Sequence, residues 1–208
     1  MKILSGIFCI LLISITAGCG KNNNNKTSDE NFMLHSLKWG ETWETIKDDP
    51  QLSSYSVLRD DGRSLAIEIE GTELLGVNGK TRLMFDNNTS PSSGLVSAYF
   101  LYGDQDENTL ITECEKVFGE RTDSYTDKNG VENPIQPSGW YSPETVESSL
   151  TDEERDKYLE LSGDIEQSRL DALLRQPLVI ITVDEDNNII SFSGNSAAVI
   201  NNLKKGNY

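Results

Sequence analysis

The residues able to do chemistry in this chain are scarce in most classes and crowded in one. Among 208 residues there are one His and three Cys, against 34 Asp and Glu and 18 Lys and Arg. His35 stands alone, so no Ser-His-Asp or Cys-His arrangement can be assembled around a second imidazole; it reads as a loop residue. Cys9, Cys19 and Cys114 are not spaced as zinc ligands. No Gly-rich phosphate loop and no G-x-S-x-G occurs. The carboxylates offer more. Asp104-Gln105-Asp106-Glu107-Asn108, with Ile111 and Glu115, matches several positions of an EF-hand calcium loop. However, Thr109 stands where the sharp turn needs Gly, and the same residues begin an amphipathic helix. The acidic run at 184–188 reads as a hairpin turn. A carboxylate pair of the glycosidase kind is compatible with so many acids, yet spacing singles none out. The expectation is no catalytic residue, no metal and no cofactor.

The formal net charge of −16 removes whole classes of partner. Nucleic-acid binding needs a basic face, and an anionic lipid surface would repel such a chain. At 36% hydrophobic residues the sequence can still bury a real core.

The N-terminus carries its own signal. Lys2 is followed by an apolar run at 3–15, broken by Ser5, Gly6, Cys9 and Ser14. That run is shorter than the roughly 20 residues a bilayer span takes, and it has the flanks of a signal peptide. It ends in Ile15-Thr16-Ala17-Gly18-Cys19. Small residues directly before a Cys resemble the lipobox of bacterial lipoproteins. The resemblance implies cleavage before Cys19 and acylation of its thiol, with the domain held on the outer side of a bacterial membrane. The alternative is a plain secretory signal cut near Gly18 or Gly20. The organisation expected is a signal at 1–18, a polar Asn-rich tether at 19–31 and one folded domain at 32–208. Cys9 leaves with the signal, and Cys114 then has no partner for an internal disulfide.

The domain reads as short strands with a few helices. A helix is expected at 41–48, stopped by Asp49-Pro50. Strands follow at 54–59, 64–70, 73–77 and 80–86, with Asn78-Gly79 as a type I′ hairpin signal. Residues 64–70 place Leu65, Ile67 and Ile69 on one face and Ala66, Glu68 and Glu70 on the other. The run at 95–102 is apolar on both faces and reads as a central strand. The best helix is 106–118, with Leu110, Ile111, Cys114, Val117 and Phe118 in one stripe; Cys114 reads as a buried small hydrophobe. Residues 121–139 lack periodicity and read as a long loop or irregular hairpin, followed by a short strand at Trp140-Tyr141. Residues 144–175 are helical in composition, with a capping box at Thr151-Asp152-Glu153-Glu154 and Ser162-Gly163 as a point of division. A hairpin at 178–193 and a helix at 195–205 close the chain. The fold class is α+β: a mainly antiparallel sheet of about five to seven strands covered by helices, with an acidic helical insertion at 141–176.

Trp39-Gly40-Glu41-Thr42 with Ile46 is similar to the "WG-x-S/T" opening of a group of small exported bacterial domains of unknown function. Val117-Phe118-Gly119-Glu120 and Trp140 on a later strand fit the same pattern. This α+β arrangement loosely resembles the beta-lactamase-inhibitor-protein-like fold, whose members bind other proteins. The resemblance implies no catalytic residues, and the insertion departs from its pattern.

The function expected is therefore a non-enzymatic, membrane-anchored lipoprotein of the cell envelope. It would bind an envelope or extracellular protein, with the membrane reached through the lipid on Cys19. Two alternatives stay open: capture of a small ligand or cation, and an enzyme using carboxylates alone. The surface residues singled out are Trp140, Tyr99 or Tyr102 for a pocket, and Glu153 and Glu154 for an acidic docking face.

Overall fold

A computed structural model of the chain describes residues 37–206, apart from 53, 88–92, 127–129 and 164–165. The export signal, Cys19, the tether and His35 lie outside the described residues. The elements run α1 Trp43–Ile46, β1 Tyr55–Asp60, β2 Ser64–Leu74, β3 Val77–Asp86, β4 Gly94–Leu101, α2 Glu107–Phe118, β5 Thr122–Thr126 and β6 Glu132–Tyr141. They continue with α3 Asp152–Ser162, α4 Gln167–Arg175, β7 Ile180–Asp184, β8 Ile189–Ser193 and α5 Asn195–Lys205.

The strands form one antiparallel sheet in the order β1-β2-β3-β4-β8-β7-β6-β5. It consists of two four-stranded meanders joined where β4 pairs with β8. The α2 helix carries the chain from the sheet's centre to its far edge. The α+β class and the antiparallel sheet are as expected; eight strands exceed the expected five to seven. The excess comes from 121–139, which forms β5 and most of β6. Pro134 and Pro137 sit inside β6 and broke the alternation that would have revealed it.

Cross-strand register makes one face of the sheet the core. Val57, Ile67, Leu83, Ala98, Phe192, Ile181 and Trp140 lie side by side across seven strands. A second row runs Tyr55, Ile69, Thr81, Phe100, Ile190 and Val183. From Ile67 to Trp140 and from Ile69 to Val183 every member is buried. Trp43 of α1 packs edge-on against Phe85 at a centroid distance of 5.7 Å, and Phe118 of α2 lies tilted against Trp140 at 5.9 Å. Leu110 and Cys114 of α2, Leu174 of α4 and Ala197, Ala198 and Ile200 of α5 join the same cluster. Burial pushes the Cys114 thiol up to about 12, consistent with its reading as a small hydrophobe.

The Trp39-Gly40 pair has a packing explanation. The Trp39 ring lies flush on the backbone of Gly194, where a Cβ would come within 2.0 Å of it. Gly40, at φ +80°, crosses Gly94 and abuts the α5 backbone at Ala198. Its N–H donates to Leu95 O at 2.9 Å, and Leu95 N–H donates to Glu41 O at 2.8 Å. Asn201 Nδ2 donates to Trp39 O at 3.0 Å, and Asn202 Nδ2 to Ser93 O at 2.9 Å. These contacts clamp the start of the domain between β4 and the last helix.

Two local expectations need correction. The β2–β3 hairpin turns at Leu75-Gly76, both with positive φ, and not at Asn78-Gly79. Gly79 lies within β3 because a Cβ there would meet Leu101 O at 2.3 Å and the Phe100 ring at 2.6 Å. The helix expected at 41–48 is only the four residues of α1. The helical stretch at 144–175 divides after Ser162, as expected, with Gly163 ending α3 ahead of α4. The capping box is present: Thr151 N donates to Glu154 Oε2 at 2.8 Å and Glu154 N to Thr151 Oγ1 at 3.3 Å.

Candidate functional site

The five surface residues singled out from sequence do not converge. Trp140 is 2% exposed, on the core face of β6, with its Nε1 donating to Gly119 O at 2.8 Å. Tyr99 is on β4 with its side chain on the opposite face, the neighbours of Arg82 and Ser191 in register. Tyr102 follows β4 and is buried beneath the β7–β8 turn, its N–H donating to Asn188 O at 3.1 Å. Its hydroxyl has no hydrogen-bond partner among the described residues. Burial, then the carboxylates of Glu107, Glu185 and Asp184, push that hydroxyl up to about 12. Glu153 and Glu154 stand in the first turn of α3, beside a groove completed by Asp156, Lys157, Glu160 and Leu203. Trp140 does line a hollow, and the other two aromatics do not share it. Strand alternation sends Tyr99 to one face and Trp140 to the other, and Tyr102 is spent under a turn.

Around Trp140 there is nevertheless a cavity of about 650 Å³, lined by Val117, Phe118, Arg121, Thr122, Tyr141 and Pro143 among others. Arg121 also borders a second hollow beside the β7–β8 turn, where its Nη1 donates to Glu185 Oε1 at 2.7 Å. The two acidic stretches at 104–107 and 184–188 are brought together here, with Asn188 Nδ2 donating to Asp104 Oδ1. Among the described residues no group of three or more His, Cys, Asp or Glu is arranged to hold a metal ion. Asp104–Asp106 winds as a 3-10 turn into α2, the helical alternative to a calcium loop.

The other face of the sheet carries the most extended ordered array of polar groups. Ser56, Glu68, Arg82, Tyr99, Ser191, Thr182 and Gly139 stand in register across seven strands. Arg82 Nε donates to Glu68 Oε2 at 2.6 Å, while Lys80 Nζ lies 2.7 Å from Glu70 and 3.7 Å from Glu68. The Arg82 hydrogen bond leads the interactions that hold the Glu68 carboxyl below its ordinary value, against the opposing effect of burial. Flanking this row are Met84, Ser97, Ile180 and Tyr141, all part-exposed. A face with a charged row and interspersed apolar side chains, hollowed where Thr182 and Ser191 border the β7–β8 turn, offers directional groups suited to protein contact.

Sequence reasoning had already placed Glu68 and Glu70 on one face. It missed that Arg82 and Lys80 are their cross-strand partners, because register across a hairpin depends on the turn, and the turn was misplaced. Comparison with protein-family models, curated proteins and solved structures found no match. No described helix is long and apolar enough to cross a membrane.

Proposed function

We propose that this chain is a lipoprotein of the bacterial cell envelope, anchored through Cys19, whose α+β domain binds a protein partner and performs no reaction. The carrying observation is the ordered run Lys2, apolar 3–15 and Ile15-Thr16-Ala17-Gly18-Cys19. It supports export and a lipid on the Cys19 thiol, with the domain on the extracytoplasmic side. The helix-free sheet face around Glu68, Arg82 and Tyr99 supports the binding role. Replacing Cys19 with Ala in the native host tests the anchor. The variant is expected to leave the membrane fraction or to persist as uncut precursor. Unchanged mature size together with unchanged fractionation would overturn the anchor.

A second reading, capture of a small ligand, is favoured by one observation. The cavity beside Trp140 has the volume of a small-molecule site and combines aromatic walls with Arg121.

A further inference from the structure

Both core-face rows end on β1, and there the cover stops. Val57 is 55% exposed and Tyr55 44%, although their neighbours Ile67 and Ile69 are buried. Tyr55 touches only the rim of the helical layer, edge-on against Trp43 at 4.7 Å. Every residue of β1 is exposed, and its outer edge pairs with no strand among the described residues. Edge strands of this kind are usually blunted by brevity, charge or bulges. The opposite edge fits that rule: β5 is five residues, Thr-Asp-Ser-Tyr-Thr, with a register shift between Thr122 and Ser124. On β1 the irregularity falls at Leu58, which leaves Tyr55 to Val57 regular. The charge that follows is internally neutralised, since Arg59 Nε donates to Asp61 Oδ2 at 2.8 Å.

We propose that β1 is a homodimer interface: a second copy pairs its β1 antiparallel to the first, about a two-fold axis perpendicular to the sheet that lies just outside β1, level with Val57. That operation keeps both core faces on the same side. Val57 then meets Val57 of the partner subunit, and the bare ends of two apolar rows cover each other. The fold already makes one such join, where β4 and β8 unite two antiparallel meanders. Charge favours this edge over the opposite one for a second copy. Residues 37–101 hold 6 Lys and Arg against 10 Asp and Glu, whereas residues 102–206 hold 9 against 22. Pairing at β1 joins the nearly balanced halves and leaves the acidic halves at the far ends. Pairing at β5 would press the acidic halves together.

Disulfide trapping of the full chain in its native host tests this. Residues directly opposed across an antiparallel pair have Cα atoms about 4.5–5.5 Å apart, within disulfide reach. Val57→Cys is expected to give a reducible homodimer band on mild oxidation, and Ser124→Cys on β5 to give none. The wild-type chain is expected to sediment as a dimer. Val57→Lys, which places like charges face to face at an exposed position, is expected to weaken the dimer by more than about tenfold while leaving the thermal melt of the monomer unchanged. Three results would each overturn the proposal. One is a Val57→Cys homodimer yield no greater than that of Ser124→Cys. Another is a trapped species whose mass is that of a different protein. The third is a wild-type chain that sediments as a monomer at its highest soluble concentration.

Discussion

The two ends of a single row of side chains meet opposite fates. Trp140 and Val57 lie on the same face of the same sheet, with five strands between them in register, yet one is 2% exposed and the other 55%. Strand geometry does not distinguish them. What differs is the helical layer: α2 sets Phe118 against Trp140 and accepts its indole N–H at Gly119, while α1 is a single turn that reaches only as far as Tyr55. Burial in this fold is decided by the length of the covering helix and only secondarily by the alternation of the strand beneath it.

The largest effect that would break or confirm this contrast is at the covered end. Trp140→Ala is expected to cost about 3–5 kcal/mol in urea unfolding, through the cavity and the orphaned Gly119 carbonyl. The reference is Val57→Thr in dilute solution, expected within about 0.5 kcal/mol of wild type. Equal costs at the two ends would dissolve the comparison. A smaller gain is expected at the hairpin on the less covered half. Leu75 sits at φ 51°, a conformation that disfavours a branched apolar side chain, in a turn whose first position prefers Asn. Leu75→Asn should therefore stabilise by about 0.5–1 kcal/mol, after a small loss of packing, measured as a higher denaturation midpoint. The smallest effect is electrostatic. Glu68 is held below its ordinary value of 4.5 in the folded protein, so its contribution is present above that value and disappears as pH falls through the folded one. Glu68→Gln should be less stable than wild type by a few tenths of a kcal/mol near neutrality. That gap should close under acid in paired melts; a gap that stays constant with pH would show that packing, not charge, sets the contribution of Glu68.

Much of the fold was legible in local pattern. The alternation of Leu65, Ile67 and Ile69, the Thr151 capping box and the closing hairpin appear where the residues place them, and the α2 stripe packs inward at Leu110, Ile111, Cys114 and Phe118 but leaves Val117 exposed. The misses at the β2–β3 turn and in β6 share a cause: positions where a glycine or proline answers to a distant backbone. Asn78-Gly79 carries the strongest turn signal in the chain, yet Gly79 is small because β4 passes over it. Gly139 is similar, since a Cβ there would lie 1.8 Å from Ile181 O on β7. Such close approaches exist only after the sheet is assembled, so no window of sequence contains them. The candidate site was less legible still. Glu68 could be assigned a face, but Arg82 and Tyr99 join it only through register, and the side chains grouped around Trp140 separated once β4 fixed its alternation.

The clamp at Trp39 has a mechanical consequence. The first described residues do not enter at an edge strand. They are wedged against the middle of the sheet, hydrogen-bonded to Leu95 and pinned by Gly194 and the last helix. A pull along the chain from its N-terminal side would therefore load the seam between the two meanders, in the middle of an eight-stranded sheet, instead of peeling strands one at a time from the rim. Such a domain would tolerate tension at its point of attachment better than its outermost strand would suggest.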